Sequence, residues 1–180
     1  MDSLTILCSV LRCLYLFLGA AGITLTSQSF RAFQVSYTVR RADKIFRPFA
    51  HYDYEFSRPH FDLLRSEAFE RASISQGSLF LLISVALGGA LQVGCIHINP
   101  PPTLSIASLT LAFITGLIFG IVVCLKLQDA SDSEACKHLE QQAREDVKKN
   151  PHRLDYVKTS MSWFKECCNH EPDLPNSEPP

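Results

Sequence analysis

The middle of the chain lacks charged side chains altogether. No Lys, Arg, Asp or Glu occurs from Ala72 to Leu125, a run of 54 among 180 residues, although the whole chain carries 17 basic and 18 acidic residues. Soluble domains average roughly 25% charged residues, because each helix or strand needs a polar face toward water. The gap therefore excludes an ordinary cytosolic enzyme and indicates a membrane protein. The net charge of -1 also excludes a basic nucleic-acid-binding protein.

Groups that carry chemistry are also scarce within the apolar stretches. The main polar side chains there are those of Arg12, Gln92, Thr110 and Thr115, with His97 at the end of one stretch. A carboxylate, a lysine or paired histidines at mid-membrane would predict ion transport or haem ligation, and the sequence has none. It also lacks a P-loop, a dinucleotide-binding fingerprint and a GxSxG motif. We therefore predict no enzymatic activity, no cofactor and no metal site.

Two apolar spans fit within the uncharged gap. A hydrocarbon core about 30 Å thick needs roughly 20 helical residues. The sequence Asn99-Pro100-Pro101-Pro102 cannot continue a helix, because proline lacks a backbone donor. We therefore predict a transmembrane hairpin over residues 77–127, with spans at about 77–98 and 104–127 and a turn at 99–103.

An earlier apolar stretch lies between Arg12 and Arg31. It predicts a first transmembrane helix within residues 1–30, and the fold class is then an all-α integral membrane protein with three transmembrane helices and amphipathic cytoplasmic helices. The alternative is a cleaved signal peptide, which Asp2 and the absence of basic residues before Arg12 disfavour.

The basic residues are distributed unevenly along the chain. Eight lie between residues 27 and 76, eight follow residue 125, and none lies in the loop of the hairpin. Basic segments near spans stay in the cytoplasm. This predicts an N-terminus on the outer or lumenal side and a cytoplasmic C-terminus.

Residues 31–76 form a basic and aromatic connection. Its basic residues nearest the first span predict contact with membrane lipids: Arg31, Arg40, Arg41, Lys44 and Arg47. We expect the first transmembrane helix to continue out of the membrane here. A second, amphipathic helix is predicted to start near Ser57-Arg58-Pro59, because Ser is a common cap and Pro suits the first turn.

Two cytoplasmic helices are predicted in residues 128–168. The sequence Ser131-Asp132-Ser133-Glu134 fits a capping box at the start of the first, which should end near Asn150. The apolar stripe along one face of that helix consists of Ala135, Leu139, Ala143 and Val147. Because the stripe is poor in large side chains, it predicts a solvated helix or a weak partner surface. The stripe of the second helix is wider and predicts docking on the bilayer or on another protein: Leu154, Val157, Met161, Phe164 and Cys168. Residues 169–180 are rich in proline and predict a disordered tail.

Small residues recur every four positions in both spans of the hairpin. They are Ala86, Ala90 and Gly94 in one, and Ser108, Ala112, Gly116, Gly120 and Cys124 in the other. Such faces let helix backbones approach closely in lipid. We predict helix packing through these residues, with the hairpin packing against itself as the first interpretation and packing between subunits as the alternative.

The seven cysteines do not suggest a disulfide scaffold, because their number is odd and the last three are predicted to be cytoplasmic. Cys167 and Cys168 follow an amphipathic helix and are candidates for acylation. Five residues in one short stretch could serve a metal or catalytic site: His51, Asp53, Glu55, His60 and Asp62. Their spacing matches no established ligand pattern, so a solvated loop is the favoured interpretation.

The leading functional hypothesis is a non-enzymatic membrane protein that acts as a subunit or scaffold of a protein complex. Its partners would be membrane lipids and a protein partner or further copies of the chain, and not nucleic acid. A pore-forming or membrane-perturbing oligomer is the first alternative. A lipid-modifying enzyme that uses the stretch from His51 to Asp62 at the membrane surface is the second.

Overall fold

The computed structural model describes residues 3–46, 56–94 and 102–174, and the regular elements within these ranges are all helical. The long helices are α1 (Ser3–Phe46), α2 (Arg58–Gly94) and α3 (Pro102–Lys149). A 3₁₀ turn (Pro151–Arg153) and two short helices, α4 (Leu154–Ser160) and α5 (Phe164–Cys168), follow.

Each long helix contains a stretch that is long and apolar enough to cross a membrane. The predictions of an all-α fold and of three such helices are therefore confirmed. Residues 99–101 of the predicted turn lie outside the described residues, and α3 begins at Pro102, within that turn. Proline is tolerated there because the first helical residue does not need its backbone N–H.

The long helices extend beyond the predicted spans. α1 continues to Phe46 as expected, and α2 starts at Arg58, where the N–H of His60 donates to the carbonyl of Ser57 at 3.1 Å. The capping-box prediction is wrong, because α3 runs through Ser131, which is 3% exposed, without a break. No glycine or proline occurs between Gly120 and the end of α3, so nothing in the sequence stops the helix after the span.

The chain divides into two compact units. The first, which we call the membrane unit, consists of Met1–Phe30 and Arg71–Leu127. The second, which we call the charged unit, consists of Arg31–Glu70 and Gln128–Pro180. The divisions fall within two residues of Arg31, Arg71 and Lys126, the basic residues at the ends of the uncharged stretches. Backbone contacts and charge therefore divide the chain at the same places.

The charged unit has a hydrophobic core in which residues after Pro151 pack on α3. The α3 residues are at most 5% exposed: Ala135, Leu139, Ala143 and Val147. The residues packed with them are Leu154, Val157, Met161 and Phe164, together with Phe56 and Phe61. The prediction of a solvated α3 stripe is therefore wrong. Its small side chains let the larger second stripe approach, and the chain thus covers this surface itself.

The end of the described chain also packs on α3. We call residues 164–174 the C-terminal segment. The backbone N–H of Asp173 donates to Glu140 at 2.9 Å, and Leu174 is 8% exposed. The prediction of a disordered tail is thus wrong for residues 169–174, because an apolar side chain and a hydrogen bond hold them. Residues 175–180 lie outside the described residues.

Candidate functional site

The small-residue face of α3 lies against α1 in the membrane unit. Gly116 and Gly120 are both buried. A Cβ atom at Gly116 would lie 2.4 Å from the carbonyl oxygen of Phe17, and one at Gly120 would lie 2.8 Å from Cβ of Thr24. The absence of a side chain at these two positions is therefore what permits the two helices to approach this closely.

The other small residues of the predicted α3 face are also at least partly buried. Ser108 and Ala112 are partly buried, and Cys124 is 9% exposed. The structure therefore uses this face within the chain, but the partner at Gly116 and Gly120 is α1 and not α2. The first interpretation, in which the hairpin packs against itself through both small faces, is not what the structure shows.

α2 contacts α1 through a different face from the predicted one. The hydroxyl of Ser84 donates to the carbonyl of Tyr15 at 3.0 Å. A Cβ atom at Gly88 would lie 3.0 Å from the ring of Tyr15, and one at Gly77 would lie 2.9 Å from Cγ2 of Thr26. These residues form the seam that sequence reasoning missed, although their small size and spacing carry the same signal as the predicted face.

The predicted small face of α2 is exposed. Ala86, Ala90 and Gly94 all lie on the surface of the membrane unit. Gly89 lies on the same side of the helix, and no atom of another element comes within 4 Å of a Cβ atom built there. This surface, which we call the open face of α2, remains available to another helix or to lipid.

Aromatic rings join the three helices of the membrane unit. The ring of Phe119 on α3 lies 5.3 Å from that of Phe17 on α1 and 6.1 Å from that of Phe80 on α2, between centroids. Ring pairs at such distances add to the packing of small residues. α2 and α3 therefore do meet, but through large side chains.

Polar groups within the spans are few and mostly satisfied locally. Thr110 and Thr115 donate to the carbonyls of Ile106 and Leu111, each at 2.9 Å. Arg12 is half-buried and Gln92 is exposed. His97 lies outside the described residues.

The predicted membrane-surface basic residues are largely exposed. Arg31, Arg41 and Lys44 lie at the surface of the charged unit, and Arg47 lies outside the described residues. Arg40 instead pairs with Glu67, to which its Nε donates at 3.1 Å. This hydrogen bond and the charge of Glu67 raise the pKa of Arg40 above its ordinary value. Arg40 is therefore engaged within the charged unit, while three neighbouring cations face outward.

The cysteines of the charged unit contradict the expectation against disulfides. Cys136 and Cys168 form a disulfide bond, which links α3 to the end of α5. The sulfur of Cys168 is therefore not available for acylation in this structure, whereas Cys167 is a free, partly exposed thiol. Cys8, near the start of α1, is disulfide-bonded as well. The position of Cys168 on the same stripe as the buried Phe164 was the signal that this sulfur faces α3.

Charged side chains fix the C-terminal segment on α3. Arg144 donates to Asp173 at 2.6 Å and to Glu140 at 3.1 Å. Burial alone would raise the pKa of Glu140, but hydrogen bonds from the Asp173 backbone and from Arg144 outweigh it, so the pKa is lowered. Glu140 is thus ionised at neutral pH and holds the segment through the backbone N–H of Asp173.

The candidate metal or catalytic cluster is only partly described. His51, Asp53 and Glu55 lie outside the described residues, and His60 and Asp62 are half-buried on α2. Within residues 3–46, 56–94 and 102–174, no group of three or more His, Cys, Asp or Glu side chains is arranged to hold a metal ion.

Comparison of the chain with protein-family models, with curated proteins and with solved structures found no match.

Proposed function

We propose that this chain acts without catalysing a reaction, as a subunit or scaffold of a membrane protein complex that assembles through the open face of α2. The observation that carries the proposal is Gly89. A glycine inside a helix costs about 0.5–1 kcal/mol relative to alanine. None of the described glycines has a positive φ, so backbone conformation does not require Gly89.

The contrast with the other glycines of the spans supports this argument. Gly77, Gly88, Gly116 and Gly120 each abut another helix of the chain, which accounts for their lack of a side chain. Gly89 abuts none. A helix from outside the chain is a physical reason for glycine at this position, because small residues are enriched where helices meet in lipid.

The neighbours of Gly89 extend the same surface. Ala86 and Ala90 lie on its side of α2 and are exposed, and Val93 is 88% exposed. Val85, one turn before Gly89, is 70% exposed as well. A partner helix would therefore meet a shallow groove at Gly89, with Ala86 and Ala90 beside it and an exposed valine one turn away on either side. Further copies of the chain and a different membrane protein are both partners of this kind.

The register of the helices supports the proposed crossing of the membrane. Tyr15 lies against Gly88 and Thr26 against Gly77, so α1 and α2 run antiparallel within the membrane unit. α3 runs parallel to α1, because Gly116 and Gly120 follow Phe17 and Thr24 in the same order. This arrangement is expected for three successive spans.

The charge distribution supports the proposed orientation. Residues 31–71 contain eight basic residues, the stretch from Lys126 onward also contains eight, and residues 72–125 contain none. We therefore place the charged unit in the cytoplasm and the N-terminus on the outer or lumenal side.

A substitution at Gly89 tests the proposal. The full-length protein is purified in mild detergent with Gly89→Leu, and its mass and stoichiometry are compared with those of the unaltered chain. We expect a defined complex from the unaltered chain and a large loss of it with Gly89→Leu, because leucine fills the groove. Ala107→Leu is the matched control, since Ala107 is an exposed small residue on α3. A stable lone monomer of the unaltered chain, or a complex that survives Gly89→Leu, would contradict the proposal.

A further inference from the structure

The two cysteines of the disulfide in the charged unit differ in their exposure. Cys136 on α3 and Cys168 on α5 are bonded, with their Cα atoms 5.9 Å apart. Cys136 is 5% exposed, whereas Cys168 and the free thiol Cys167 are partly exposed. A reagent in solution therefore meets the pair from the side of Cys168.

The disulfide-bonded cysteines belong to opposite ends of the proposed topology. Cys8 lies near the start of the first span, and Cys136 and Cys168 follow the third. Disulfides persist in oxidising compartments and are reduced in the cytosol. If a membrane separates Cys8 from Cys136 and Cys168, only the cysteine on the outer or lumenal side stays permanently bonded. This step rests on the orientation given under the proposed function, which places Cys136 and Cys168 among cytoplasmic thiols.

The C-terminal segment does not depend on the disulfide alone to stay on α3. Phe164 is fully buried in the core. Glu140 accepts the N–H of Asp173 at 2.9 Å, and Arg144 pairs with Asp173 at 2.6 Å. With the disulfide reduced, these contacts still hold the two thiols near each other. Rapid reformation of the bond needs this proximity.

We propose that Cys136 and Cys168 are a reversible thiol–disulfide modification site, which a low-molecular-weight disulfide, RSSR, oxidises. The Cys168 thiolate attacks one sulfur of RSSR and expels RS⁻, which leaves a mixed disulfide. The Cys136 thiolate then attacks the Cys168 sulfur and expels the second RS⁻. The two RS⁻ groups take up the two protons that the cysteines release, so one RSSR becomes two RSH. Excess RSH reverses both steps.

The bond then controls how readily the C-terminal segment opens. In the oxidised form the end of α5 is covalently fixed to α3. In the reduced form only the core contacts and the charged pairs oppose opening, and the surface around Leu139 becomes accessible when they break. The site thus regulates exposure of the core surface around Leu139.

The test follows the thiols of the full-length protein in living cells. Cells are quenched with acid, free thiols are alkylated, and mass spectrometry reports Cys136 and Cys168 separately, before and after exposure to diamide, which converts cellular thiols to disulfides. We expect both cysteines to be mainly thiols in untreated cells, a rise of at least tenfold in the bonded fraction after diamide, and recovery after its removal. Cys8 should stay bonded throughout. Cys167→Ser is the matched control and should behave as the unaltered chain.

A fully bonded pair in untreated cells would overturn the proposal, as would a pair that stays reduced in diamide. Labelling of Cys167 by a membrane-impermeant maleimide in intact cells distinguishes the causes. If Cys167 is labelled, the proposed orientation is wrong. If Cys167 is protected and the pair is permanently bonded, only the switch is wrong, and the complex tested through Gly89 is unaffected.

Discussion

Alanine should have opposite effects on stability at two glycines of the membrane unit. At Gly116 the added Cβ would lie 2.4 Å from the carbonyl oxygen of Phe17, and contacts below 3.0 Å essentially do not occur, so α1 and α3 must separate by about 0.6 Å. Because the opposing atom belongs to the backbone, no rotamer change relieves the contact. Such overpacking costs about 1–3 kcal/mol. At Gly89 the space is open, and alanine should stabilise the isolated chain by about 0.5–1 kcal/mol through helix propensity.

A thiol buried in the same unit makes the measurement possible. Cys124 is a free cysteine on α3 and is 9% exposed, so a fluorogenic maleimide should react with it only when the helices separate. Cys13 and Cys167 are partly exposed free thiols and are replaced by serine to remove their signal. For chains of this size 1 kcal/mol corresponds to about 2–4 °C in Tm. Gly116→Ala should therefore lower Tm by roughly 2–12 °C, and Gly89→Ala should raise it by roughly 1–4 °C.

Either of two results would refute this reasoning. An unchanged or raised Tm for Gly116→Ala would mean that α3 does not approach α1 through Gly116. A lowered Tm for Gly89→Ala in the monomeric, detergent-solubilised chain would mean that the position is packed within the chain. If Gly89→Ala lowers Tm only in the assembled complex, the open face is the assembly surface, which is the proposed function.

Three further predictions concern the charged unit. Reducing the Cys136–Cys168 disulfide removes a link across a sequence separation of 32, worth roughly 3.7 kcal/mol by loop-closure entropy; hydrogen exchange in residues 164–174 should accelerate, and equal exchange in both forms would contradict the estimate. Because the pKa of Glu140 is lowered from 4.5, its stabilisation is present above that value and is lost as pH falls through the lowered pKa. Proteolysis of the C-terminal segment should therefore increase in acid for the unaltered chain, whereas Glu140→Gln should be sensitive already at pH 7; a matching pH profile for both would argue against this role. Trp163→Phe removes the indole N–H that donates to Phe56 at 3.2 Å, which should cost about 1 kcal/mol, and an unchanged Tm would show that water replaces the bond.

The three helices that are long and apolar enough to cross a membrane could be predicted, because lipid leaves a sequence little choice of structure. A segment without charge over 54 residues satisfies its backbone in lipid only as helix, so the number of spans follows from its length and from the prolines at 100–102. The length of α3 was harder to predict. A capping-box sequence at Ser131 resembles a helix start, but a cap acts only where a helix is interrupted, and the residues from Gly120 to Lys149 contain no interruption.

The choice of packing face on α2 could not be predicted from small residues alone. Ser84 and Ala86 are two residues apart and thus about 200° apart around the helix, so both sides of α2 carry small residues. What favours one side is a partner-specific contact, the hydrogen bond from Ser84 to the carbonyl of Tyr15. Such a bond depends on the register between helices, which is a property of the folded chain.

The disulfide was missed for a different reason. The odd number of cysteines means only that they cannot all pair within one chain, and the predicted cytoplasmic location describes the compartment. Neither bears on whether two particular sulfurs meet. Cys136 follows the buried Ala135, and Cys168 lies on the stripe of Phe164, so both sulfurs belong to surfaces that pack together once the chain turns at Pro151. Geometry brings the cysteines together, and the compartment determines how long the bond lasts.

The central position of α1 in the membrane unit follows from a run of four small residues, Gly19-Ala20-Ala21-Gly22. Four consecutive positions cover a full helical turn, so α1 carries no large side chain on any side at this level. α2 uses one side, where Leu81 lies within 2.8 Å of a Cβ atom built at Gly22, and α3 uses another, where Ala21 lies 3.2 Å from one built at Gly120. A helix with only one small face accepts one close neighbour, but this turn accepts two. α1 therefore occupies the sides of α2 and α3 that could otherwise have met each other, and the small residues of α2 that it leaves uncovered are those of the open face.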